Sequence, residues 1–135
     1  MLIVVFFANA VDLVTANPVY PGQVIMWRED IGATIFSVDG EVWAVVDGTY
    51  AFTVMFMSPP QATMYFPVPP ESENISVKID GTPLAWAWND TYYPTVIGDF
   101  PFINWTISSV PPIFEISVHY EHPVPFINGN YTFLY

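Results

Sequence analysis

Cysteine is absent from the 135 residues, so no disulfide framework, thiolate metal site or thiol nucleophile is available. The absence assigns no redox compartment, because a core this apolar needs no covalent staples. Cationic side chains are almost as scarce. Arg28 and Lys78 stand alone against thirteen Asp and Glu, giving a net charge of −11. A surface of phosphates or anionic lipids would be repelled, so DNA, RNA and acidic membranes are poor partners, and no nucleic acid is expected. The same carboxylates keep a chain that is 53% hydrophobic and 18% aromatic in solution, and they could hold divalent cations loosely without a dedicated cage.

Long apolar runs are missing too. The longest, Leu2 to Ala8, is far short of the ~20 residues a membrane helix needs, and Asp12 interrupts its continuation. Leu2 to Ala10 ends in an A-x-A pattern that a signal peptidase could cut, and Val14-Thr15-Ala16 offers a second cut point. A basic leader is lacking. Residues 1–16 therefore read either as the remnant of an export signal or as a first strand, with 17–135 as one domain. Any membrane tether would lie outside these residues, and the strand-like end at Asn130 to Tyr135 suggests that the natural protein continues.

Extended helical stripes are likewise absent, because fourteen prolines and seven glycines recur too often for a 3.6-residue apolar period to survive. Period-two alternation is plain instead. Phe114, Ile116, Val118 and Tyr120 point one way, and Glu115, Ser117, His119 and Glu121 the other. Similar strands are expected at Ala33 to Val38, Glu41 to Val46, Tyr50 to Met57, Thr63 to Val68, Ile75 to Ile79, Leu84 to Trp88, Ile103 to Ile107 and Asn130 to Tyr135. Asp39-Gly40, Asp47-Gly48 and Asp80-Gly81 read as hairpin turns. Pro59-Pro60, Pro69-Pro70 and Pro111-Pro112 cannot donate ladder hydrogen bonds and mark crossings between sheets. The expectation is an all-β fold, an antiparallel β-sandwich of immunoglobulin-like or similar type with about eight strands.

Catalytic chemistry finds no footing. On a strand, His119 and Glu121 share one face and His122 takes the other, so the histidines cannot converge on a metal and read as solvated strand-end residues. No G-x-S-x-G or phosphate-cradling glycine loop occurs. Ser117 and His119 point outward in parallel. Glu71 and Glu73, one residue apart in a proline-rich loop, lack the opposed-wall geometry of a glycosidase pair. No catalytic residue, metal ligand or cofactor is assigned.

Two features do point to function. Four of the seven asparagines lie in N-x-[ST] acceptors, at Asn74, Asn89, Asn104 and Asn130, where about one would arise by chance. Asn104 and Thr106 alternate with Ile103, Trp105 and Ile107, so that acceptor should face solvent; outward faces of β-proteins nevertheless favour Asn and Thr in any case. The second feature is the cluster Trp86, Trp88, Tyr92 and Tyr93, whose rings suit a sugar face or a protein anchor. Its alternative is a core face with Ala85 and Ala87 outside. Trp27, Trp43 and Trp105 read as core or core edge.

Met64-Tyr65-Phe66-Pro67-Val68-Pro69-Pro70 continuing through Asn74 to Gly81, with Tyr93 to Pro101 and Val118 to Pro123, resembles secreted archaeal proteins of unknown function across residues 42–135. The proline-pair segment alone is also similar to the VIT domain of inter-alpha-trypsin inhibitor heavy chains. The archaeal resemblance implies a surface-exposed β-domain, sometimes membrane-tethered downstream, with no catalytic residues to transfer. Together these readings predict an exported, non-catalytic module for adhesion, envelope structure or assembly. Its partner would be a protein or glycan at the cell surface. The alternative is a carbohydrate-binding module using the aromatic segment.

Overall fold

A computed structural model describes Pro18 and residues 20–95, 98–127 and 129–131. The expected export segment at 1–16 and the end of the last expected strand, 132–135, lie outside the described residues.

The fold is an all-β sandwich of antiparallel strands. One sheet has five strands: β1 (Val24–Val38), β2 (Glu41–Val54), β4 (Glu73–Ile79), β5 (Thr82–Leu84) and β8 (Ile113–Pro123), in the order β1-β2-β8-β4-β5. The other holds β3 (Gln61–Pro67), β6 (Trp86–Thr95) and β7 (Gly98–Ser108), in the order β3-β7-β6. A ribbon of β9 (Phe126–Ile127) and β10 (Asn130–Tyr131) completes the set.

The alternation seen in sequence becomes the core directly. Phe114, Ile116, Val118 and Tyr120 of β8 are buried, as are Ala44, Val46, Tyr50 and Phe52 of β2 beside them. From the facing sheet come Ala62, Met64 and Phe66 of β3 and Ile103, Trp105 and Ile107 of β7. Phe66 joins the two layers. Its ring centroid lies 5.7 Å from Tyr50, 6.1 Å from Tyr120 and 6.5 Å from Trp105, at edge-on and tilted angles that suit aromatic quadrupoles.

Each of the three proline pairs lies between strands of different sheets, on the β2–β3, β3–β4 and β7–β8 connections. Proline fixes φ and lacks an N–H, so no ladder can run through the corner. The fourth crossing, β5 to β6, is made at Ala85 alone. Asp39-Gly40 (φ 50° and 85°) and Asp80-Gly81 (φ 46° and 80°) take the consecutive left-handed conformations of a tight hairpin turn.

Asp47-Gly48 does not turn. Both residues continue β2, paired with Gly32 and Ile31 on one side and His119 and Val118 on the other. The glycine serves packing instead: a Cβ built on Gly48 would lie 2.5 Å from the Tyr50 hydroxyl and 2.8 Å from its ring. In a strand interior, glycine marks such a close approach as readily as a turn. The same error split one fourteen-residue strand into two.

Trp27 is 57% exposed, because β1 bulges between Met26 and Arg28 and turns that ring outward beneath the Arg28 guanidinium, 5.3 Å from the ring centroid. Met55 to Met57 leave the strand and stand exposed beyond β2. His122 is fully buried rather than solvated, its ring 6.0 Å from Tyr120 and its Nδ1 2.9 Å from the Pro123 carbonyl oxygen.

Candidate functional site

β6 pairs with β7 alone and forms an edge of the three-stranded sheet. Its four aromatic residues do not share one environment. Trp86 lies across from Trp105 and packs against the core. Trp88, two residues on, keeps the same face but passes the end of the core and is 52% exposed. The two indoles meet edge to face at 5.6 Å, so the partly buried ring supports the exposed one.

Between Asn89 and Tyr92 the β6–β7 register shifts. The Asn89 side-chain oxygen accepts hydrogen bonds from the Thr91 amide, at 2.9 Å, and from the Thr91 hydroxyl. A bulge of this kind re-aims the side chains that follow it. Tyr92 and Tyr93 emerge 62% and 46% exposed. Tyr93 then meets Phe102 of β7 at 6.1 Å, and Phe102 meets Tyr65 of β3 at 6.4 Å, both edge to face. Tyr93, Phe102 and Tyr65 thus form an aromatic strip across the outer face of the small sheet, while Trp88 stands exposed on the other face of β6. Tyr65 and Phe102 escaped the sequence reading, since outward-facing rings carry no signal of their own on a strand whose other face is equally apolar.

The four acceptor asparagines are dispersed. Asn74 is exposed at the start of β4 with φ 52°. Asn89 is half-buried in the bulge, and Asn104 is half-buried on the outer face of central strand β7 between Tyr65 and Ala87. Asn130 is exposed in β10. Asn89 and Asn104 flank the aromatic strip; the other two lie on different elements.

The outer face of the large sheet is polar. Arg28 spans to Asp30 (Nε to Oδ2, 2.9 Å) and Glu115 (Nη2 to Oε2, 3.0 Å). His119 Nδ1 lies 2.8 Å from Asp47 Oδ1, and its Nε2 is 3.8 Å from Glu121 Oε1. Among the described residues, no three His, Asp or Glu side chains are placed to share a metal ion. Surface pairs of this kind contribute about 0–1 kcal/mol each.

At one end of the sandwich, four segments enclose an open groove of about 740 Å³. The start of β2 brings Glu41 and Trp43, the β3–β4 connection and the first residue of β4 bring Glu71 and Glu73, the end of β8 and the residue beyond it bring Pro123 and Val124, and the β9–β10 ribbon brings Phe126 and Tyr131. Glu71 and Glu73 thus face a concavity, although their spacing reads only as loop charge. These segments are distant in sequence and no local pattern unites them.

No family model and no curated protein matches the chain. Among solved structures it is similar to a "putative nutrient binding protein" from Legionella pneumophila, with a TM-score of 0.60 and 12% identity over 82% of this chain. The match spans 44% of that protein. At this identity the likeness establishes a shared sandwich fold.

Proposed function

We propose that the domain is a non-catalytic recognition module of an exported protein, serving adhesion, envelope structure or assembly through the aromatic β6 edge of its small sheet. The observation that carries this reading is the exposed aromatic run of Trp88, Tyr92 and Tyr93 on an edge strand, with Trp88 seated against the partly buried Trp86. Exposed rings cost solvation unless something covers them, and aromatic side chains anchor interfaces with little loss of rotamer entropy. The four sequons, two of them flanking the strip, support an address where glycosylation occurs. The "nutrient binding" description of the Legionella protein is compatible with a binding role.

Carbohydrate binding is the second reading, favoured by the flat exposed rings of Trp88 and Tyr92. Trp88→Ala and Tyr92→Ala discriminate, since both side chains are more than half exposed and their removal should leave the fold intact. Saturable binding on a glycan array, lost in these variants at unchanged melting temperature, selects the carbohydrate reading. No glycan bound, with loss of attachment to cells of the source organism in the same variants, selects adhesion. Unmodified asparagines in protein recovered from the cytosol of its own host would sink the exported-module reading.

A further inference from the structure

The groove at the sandwich end is separate from the β6 strip, and its chemistry differs. Trp43, Phe126 and Tyr131 supply rings, and Glu41, Glu71 and Glu73 supply carboxylates. Phe126 and Tyr131 meet edge to face at 5.0 Å, and Trp43 Nε1 donates to Glu41 Oε2 at 3.3 Å, which sets one carboxylate beside an indole. Phe126 and Tyr131 are 63% and 57% exposed, leaving ring surface open.

Charge in the groove is uncompensated. Arg28 is engaged with Asp30 and Glu115, and Lys78 lies opposite Ser117 on the outer face of the large sheet. Among the described residues no ion pair reaches Glu41, Glu71 or Glu73. Glu73 is moreover placed across from Glu121 of β8, a like-charge cross-strand pair that disfavours the fold. A bare metal ion does not resolve this, since no three carboxylates among the described residues are placed to share one. An elongated cation does, because its charges and its carbon skeleton can be met at different points along the groove.

We propose that this groove binds an organic polycation, a flexible oligoamine whose ammonium groups sit at Glu41, Glu71 and Glu73 and whose methylenes lie against Trp43, Phe126 and Tyr131. Ammonium over an aromatic face is attractive, most strongly over indole. The volume falls in the range of about 300–1,000 Å³ typical of small-molecule sites.

Titration calorimetry of the whole chain with spermidine, and with calcium chloride as a compact cation, tests the proposal. Saturable one-to-one spermidine binding is expected, weakened about tenfold or more in Glu71→Gln/Glu73→Gln and several-fold in Phe126→Ala. The charge-matched control Asp90→Asn/Asp99→Asn removes two carboxylates from β6 and β7 and should leave affinity within about twofold. An equal loss in that control would reveal attraction to net charge alone and overturn the proposal, as would calcium binding as tightly as spermidine or the absence of any saturable heat. Phe126 is mostly exposed, so its truncation keeps the fold, and unchanged affinity in that variant would also count against the assignment.

Discussion

At the residue scale, Gly48 and Tyr50 form one unit. The Tyr50 ring lies over Gly48 and is held there from the other sheet by Phe66. Gly48→Ala forces a methyl group into that ring, and overpacking of this kind costs about 1–3 kcal/mol. Urea denaturation should show that loss with an unchanged m-value; a variant as stable as the parent would mean that the ring has room to shift. Burial also pushes the Tyr50 and Tyr120 phenols above their ordinary range, Tyr50 being raised further by Tyr120 and Glu29 nearby. In the unfolded chain both ionise near pH 10, while the folded chain keeps its protons. Stability is therefore intact below about pH 10 and falls above it by about 1.4 kcal/mol per pH unit for each tyrosine. Denaturation midpoints measured from pH 8 to 12 should trace this decline, and a flat profile would contradict the buried placement of the two rings.

At the element scale, β1 is a fifteen-residue edge strand whose Gly32 to Val38 stretch carries no charge and no proline. Such an edge invites pairing with another chain. Two features blunt it: the bulge at Trp27, and Glu29, which pairs with Tyr50 and so points to the core side. Slight desolvation by its neighbours raises the Glu29 carboxyl pKa, although the residue remains exposed. Glu29→Val should shift the chain from monomer towards concentration-dependent assemblies in light scattering, whereas a variant that scatters as the parent does would leave the edge protected by the bulge alone. The sequence shows where strands lie better than where they end. Alternation exposed β8 and the centre of β7, because one face is buried and the other wet. The first half of β1 was invisible because Trp27 to Asp30 are exposed on both faces at an edge, and the ends of β6 and β7 because Pro94 and Pro101 look like breakers. The aromatic edge was half legible: Trp88, Tyr92 and Tyr93 are local in sequence, but the packing of Tyr93 on Phe102 and of Phe102 on Tyr65 depends on cross-strand register. The groove was not legible at all.

At the scale of the whole molecule, a net charge of −11 is spread over one small sandwich with two cations to offset it. Self-repulsion of this kind is screened within a Debye length of about 8 Å at physiological ionic strength. Raising sodium chloride from about 20 to 300 mM should therefore raise the melting temperature by a few degrees. A fall would imply that Arg28 and its two carboxylates matter more than the overall field.

The central position of β8 also fixes an order of events. β1 and β2 form a hairpin from neighbouring sequence, and β4 pairs with β5 across a two-residue turn. Both units end in an open edge that only β8 can fill, and its partners in β2 lie roughly sixty to eighty residues earlier in the chain. Long-range closure of this type is slow compared with hairpin formation. A chain emerging from its N-terminal end thus carries two unfinished edges until residue 123 is free, and a stop anywhere before Ile113 would leave two hairpins with no strand to join them.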